Sequence, residues 1–153
     1  MAETAMARRR EDREWMIEQA TLILKNEPAE LERVLGFVSD LCARHGITPQ
    51  TEFDLNLALD EIVTNVIRHA YPEGGEHQFT LQIEVSDEEF VARFEDDGIE
   101  FNPLEHPAPD LTVPLGERQE GGLGIFLARQ VMTSVAYQRS AGKNLIILRK
   151  KLT

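Results

Sequence analysis

At 153 residues, with 42% hydrophobic and 28% charged side chains, the chain has the size of one globular domain and enough apolar mass for a core. A formal net charge of −11 weighs against a nucleic-acid or anionic-membrane partner, because such binding rests on clustered Lys and Arg; small molecules and proteins remain. The single cysteine, Cys42, excludes an intrachain disulfide, fits a reducing, cytoplasmic setting, and reads as a small buried apolar residue.

In chain order, "MAETAMARRREDREW" carries charge where a signal peptide needs an apolar run. Residues 1–15 are expected to be a flexible extension, frayed or weakly helical, ahead of one domain over 16–153. "EQATLILK" suits an edge strand. "EPAELERVLGFVSDLCARHG" then places Leu31, Val34, Leu35, Val38 and Leu41 at helical spacing, with Gly46 as the stop. A second helix, capped by Thr51 or a nearby residue, carries the stripe Leu59, Ile62, Val63, Val66, Ile67 and Ala70 and ends at "YPEGG". "FTLQIEVS" and "EFVARFE" alternate as two strands of a hairpin turned at Asp87 to Glu89. The long loop "NPLEHPAPDLTVPLGERQE" suggests a lid or binding loop, and "GGLGIFLARQVM" continues from glycines into a helix. "TSVAYQRS" and "KNLIILRKKL" form a closing hairpin turned at "SAGK". The sum is an α+β sandwich with helices on one face of a mainly antiparallel sheet, and no apolar run is long enough to cross a bilayer.

Three segments carry candidate chemistry. Glu61 and Asn65 lie one turn apart, beside the apolar stripe. They make either a solvated helix edge or a site in which the Asn oxygen binds Mg²⁺ while the carboxylate orients or deprotonates a nucleophile. In "FEDDGIEFNP" the Asp-Gly pair is either a hairpin turn or a strand end that aims Asp96 into a pocket, with Gly98 open to a ligand. A buried carboxylate accepts hydrogen bonds and so welcomes the adenine amine while rejecting the guanine carbonyl. "EGGLGIF" is either a flexible joint or a set of bare amides at a helix N-terminus that hold phosphate oxygens. His45, His69, His77 and His106 show no spacing that pairs them as metal ligands; His69 reads as packing or as a nucleotide neighbour.

Together and in this order, "DEIVTNVIRHAY", "DDGIEFNP" and "GGLGIFLA" resemble the N box and the two glycine boxes of the GHKL ATPase superfamily, whose ATP-binding fold is the Bergerat fold. Within it the chain is most similar to the anti-sigma factor serine/threonine kinases of bacterial partner-switching pathways, over about residues 20–150. The resemblance implies a two-layer α/β sandwich whose sheet is mixed but mainly antiparallel. It implies Glu61 as general base, Asn65 as Mg²⁺ ligand, Asp96 as adenine reader and Gly98 as the glycine of close approach. Gly121, Gly122, Leu123 and Gly124 would surround the phosphates, His69 and Phe101 would complete the ATP-binding set, and Pro103 to Glu120 would be the ATP lid.

The implied cofactors are ATP and Mg²⁺. The implied substrate is a small anti-anti-sigma (STAS) protein, whose unphosphorylated form competes with a sigma factor or other regulator for this chain. Homodimerisation is implied too. The chain departs from many superfamily members at Glu100, where they carry a further glycine. The alternative is a non-catalytic module that sequesters its regulator and uses ATP structurally or not at all.

Overall fold

The computed structural model describes residues 2–5, 17–105, 112 and 123–152. Strands β1 (Ala2–Ala5), β2 (Glu18–Lys25), β3 (Gln78–Val85), β4 (Glu89–Asp96), β5 (Ser134–Ser140) and β6 (Lys143–Lys151) form one sheet in the order β1-β2-β3-β4-β6-β5. Helices α1 (Glu30–His45), α2 (Pro49–Asn65) and α3 (Leu123–Val131) complete it. Each pairing between the described strands is antiparallel, so the parallel component of the expected mixed sheet is not seen among them. The paired helices between β2 and β3 return the chain to the neighbouring strand in the opposite direction, as a hairpin does.

The strand register builds the core in rows. Leu22, Leu81, Phe94, Ile146 and Tyr137 are successive partners across β2, β3, β4, β6 and β5. Ala20, Ile83, Ala92, Leu148 and Val135 form the next row. Side chains alternate between sheet faces, so these rows share one face and meet Val34, Val38, Leu41, Leu55, Leu59, Ile62, Ile125 and Ala128 of the helices. Each fully buried Leu or Phe contributes about 1.5–3 kcal/mol. The other face is more polar, with Gln19 bonded to Glu84 and Lys143 paired with Glu95.

Local chemistry sets the ends of the elements. Gly46 closes α1 with φ 63°, a left-handed conformation, and its N–H bonds to the Cys42 carbonyl. The cap of α2 is Thr48, whose hydroxyl accepts from the Thr51 N–H at 3.2 Å, with Pro49 in the first turn. In the β3–β4 hairpin the Ser86 hydroxyl accepts from the N–H groups of Glu88 and Glu89. Ala141 and Gly142 turn the last hairpin with φ of 52° and 75°, the positive pair that matches strand twist.

Three expectations change. Ala2–Ala5, expected to be frayed or weakly helical, pairs as β1 with Gln19 to Leu22, so the boundary drawn after residue 15 does not set this segment apart from the sheet. For the same reason β2 is not an edge: β1 takes backbone groups that β2 would otherwise expose. Finally, the second helix widens after Asn65 into a π-helical turn, Val66–Ala70. Such turns are rare and concentrate at functional sites.

Candidate functional site

The apolar rows end in a polar one. Asn144 pairs with Asp96 on one side and with Arg139 on the other, placing three polar side chains on the core face at one end of the sheet. Asp96 is 5% exposed and Asn144 2%. Asp96 Oδ1 accepts from the Gly98 N–H and from Asn144 Nδ2, both at 2.9 Å. Asn144 also donates to the Ile99 carbonyl at 2.7 Å, and its Oδ1 accepts from Phe101 N–H and the Tyr137 hydroxyl. Both donors and both acceptor positions of the Asn144 amide are therefore in use. Arg139 donates to the Gly98 carbonyl at 2.8 Å.

Burial raises the Asp96 carboxyl above its ordinary value, and the bonds from Asn144 and Gly98 offset part of that shift. Both bonds fall on Oδ1, so among the described residues Oδ2 stays available as an acceptor. That is what recognition of an exocyclic amine needs.

The Asp-Gly pair turns no hairpin, since β4 pairs with β6 and the chain beyond Gly98 leaves the sheet. Gly98 does permit close approach, but the approaching group is protein backbone. A Cβ built there would lie 2.2 Å from the Ala70 carbonyl oxygen, and the next residue's N–H, that of Ile99, bonds to the same oxygen at 2.9 Å. The first glycine box is thereby clasped to the end of the N-box helix. A stacked pair joins them again, His69 on Phe101, with ring centroids 4.6 Å apart and planes at 22°.

On α2, Glu61 and Asn65 are both half-buried, and Asn65 Nδ2 donates to Glu61 Oε1 at 3.3 Å. A carboxylate only accepts, so this contact fixes the amide: NH₂ faces Glu61, and Oδ1 points elsewhere. Oδ1 has no hydrogen-bond partner among the described residues, which leaves a neutral oxygen of the type Mg²⁺ takes beside phosphate and water. Among the described residues no group of three or more His, Cys, Asp or Glu could hold a metal by itself. Gly124, at the start of α3, lies directly against the Glu61 carboxylate.

The structure thus brings together Glu61, Asn65 and Gly124 at one place, and Asp96, Gly98 and Phe101 at another, with the π-helical turn and His69 between. Leu123 opens α3; Gly121, Gly122, His106 and nearly all of the expected lid lie outside the described residues. Glu100, the departure from the usual pattern, is exposed. Of the remaining histidines, His45 contacts Glu18 at 2.9 Å and His77 stacks on Tyr71, so the three described histidines go to separate partners. Sequence reasoning missed Asn144, Tyr137 and Arg139. A polar residue at an inward position of an otherwise apolar strand, as in "KNLIIL", was the available signal for Asn144.

Residues 24–150 match the histidine kinase-like ATPase domain family, and the chain belongs to it. Among curated relatives, it is 28% identical to the serine/threonine-protein kinase BtrW of Bordetella bronchiseptica over 114 residues, 74% of this chain and 80% of that one. It is 29% identical to the serine-protein kinase RsbW of Bacillus subtilis, over 83% of this chain and 84% of that one. RsbW of Listeria innocua is 26% identical over 86% and 87%. Among solved structures, the RsbU and RsbW domains of Rv1364c from Mycobacterium tuberculosis superpose with a TM-score of 0.61 at 16% identity, over 86% of this chain and 32% of that one, which shows a shared fold. No described helix is long and apolar enough to cross a membrane.

Proposed function

We propose that the chain is an ATP-dependent protein serine/threonine kinase, an anti-sigma regulatory factor that acts in the cytoplasm as a homodimer and phosphorylates an anti-anti-sigma (STAS) protein. The observation that carries this reading is the pairing of Glu61 with Asn65 against the start of α3, in a family member whose curated relatives are named serine kinases.

Each residue has a task. Asp96 accepts a hydrogen bond from the adenine amine through Oδ2; a guanine carbonyl there would set two acceptors face to face, at a cost of about 1–3 kcal/mol. The first residues of α3 and the glycines before it offer amides to the phosphates. Asn65 Oδ1 would hold Mg²⁺, which, when bound, supplies charge neutralisation on the phosphate oxygens. A serine or threonine hydroxyl of the partner attacks the γ-phosphorus, the bond from that phosphorus to the β–γ bridging oxygen breaks, and ADP leaves. Glu61 takes the hydroxyl proton. The product carries about two new negative charges at neutral pH. Beside a chain already at −11, that charge favours release of the phosphorylated partner, while the unphosphorylated partner competes with the sigma factor or other regulator.

The test is transfer of labelled phosphate from ATP with Mg²⁺ to the STAS protein encoded nearest the gene, with wild type and Glu61→Gln side by side. Transfer by wild type alone is expected. Nucleotide binding without transfer would make the chain a sequestering module, and failure to bind adenine nucleotides would overturn the reading.

A further inference from the structure

A glycine at position 124 has no conformational reason. Gly124 is not among the glycines with positive φ, which among the described residues are Gly46, Gly74, Gly75 and Gly142. It sits in an α-helix, where intrinsic propensity favours alanine. What occupies the space of the missing side chain is Glu61: a Cβ would lie 1.9 Å from its Oε2, 2.2 Å from its Cδ and 2.7 Å from its Oε1. The whole carboxyl group covers the position, and real Cβ atoms do not approach heavy atoms that closely. Glu61 Oε1 is meanwhile held by Asn65 at 3.3 Å, so turning the carboxylate off a methyl group at 124 would strain that bond as well.

We propose that Gly124 is a positioning residue for Glu61, its absent side chain being the seat that aims the proton-accepting carboxylate; the proposal rests on the kinase reading above. It separates two roles that a glycine before bound phosphates can have. A backbone N–H directed at phosphate survives Gly124→Ala, because alanine has the same N–H. A carboxylate seat does not survive it. The geometry also couples the two boxes, since the start of α3 is where the base takes its direction.

The experiment uses the full chain as wild type, Gly124→Ala, Glu61→Asp and the double variant. Nucleotide affinity is measured by calorimetry and phosphate transfer at saturating ATP and STAS protein. For Gly124→Ala, affinity should stay within about threefold while kcat falls by about tenfold or more, the scale on which a misplaced catalytic group lowers turnover. Glu61→Asp withdraws the carboxylate by one methylene, so the double variant should turn over faster than Gly124→Ala alone.

Weakened nucleotide binding with kcat preserved would assign the glycine to the phosphates and overturn the proposal, as would wild-type kcat in Gly124→Ala. A second readout needs no transfer. The side-chain carboxyl ¹³C resonance of Glu61, assigned by its loss in Glu61→Gln, should move in nucleotide-free Gly124→Ala. If it stays in place there is no seat. A wild type that transfers no phosphate would sink the kinase reading and leave this resonance to decide the geometry.

Discussion

The two ends of the site are built differently. At the strand end, Asp96, Asn144 and Arg139 lie in one cross-strand row, and the Asn144 amide is saturated by Asp96, Ile99, Phe101 and Tyr137. At the helix end, the bond between Glu61 and Asn65 is a single 3.3 Å contact, and the carboxylate rests on a glycine. Strands fix the first arrangement through a register that one residue of slip would destroy. Helices fix the second through one face and one close approach. On the proposed function, recognition is thus tied into the strand register, whereas the reacting group is carried by helix side chains. Perturbing the strand end should change stability as well as affinity; perturbing the helix end should damage turnover alone.

The sharpest break is Glu61→Gln. Phosphate transfer should fall by about 10²- to 10⁴-fold, the usual contribution of a general base. Its melting temperature should stay within about 2 °C, as for a partly exposed isosteric change. A large drop in melting temperature would erase the contrast between the two ends.

Asp96→Asn comes next. It puts an NH₂ where Oδ2 accepts, so adenine-nucleotide affinity should fall about 100-fold in titration calorimetry. Stability should move the other way. Because burial holds the Asp96 carboxyl above 3.8, the stability linked to it is present below that value and is lost as pH rises through the folded-state value. The variant should therefore gain on wild type in melting temperature from pH 4 to pH 8, and a gap constant with pH would remove the burial argument.

Gly98→Ala drives a methyl group into the Ala70 carbonyl and should destabilise the fold by about 1–3 kcal/mol in urea unfolding, with nucleotide affinity lowered as well. Asn144→Ala leaves buried partners unbonded and should cost about 1–3 kcal/mol in the same unfolding measurement. The smallest effect is at Cys42. Burial, reinforced by Glu52, pushes its thiol up to about 12, so iodoacetamide at pH 8 should label it only after denaturation.

What the sequence disclosed follows from how local each signal is. Amphipathic spacing placed α1 and α2, alternation placed β3 and β4, and Ser-Ala-Gly-Lys marked the closing turn, because each depends on neighbours in the chain. Glu61, Asn65 and Asp96 stood out once their three segments were taken in order. The role of Asn144 was hidden, because "KNLIIL" was legible as a strand but nothing local to it shows that pairing sets Asn144 opposite Asp96. The β1 strand was hidden for a similar reason: "AETA" has no pattern of its own and gains a place from the groups β2 offers. Arg33 pairs with Glu30 at the i, i+3 spacing of a helix face, but its bond to the Ile23 carbonyl is one that no spacing rule shows.

The Ala70 carbonyl meets both Gly98 and the Ile99 N–H. During synthesis the helix bearing Glu61 emerges well before residue 99, and until that amide arrives nothing closes its final widened turn. The two halves of the nucleotide site therefore mature in one event and late. A ribosome-bound chain with residue 98 at the tunnel mouth and residue 99 still inside should expose its N-box end to proteases even where α1 and the body of α2 have already folded.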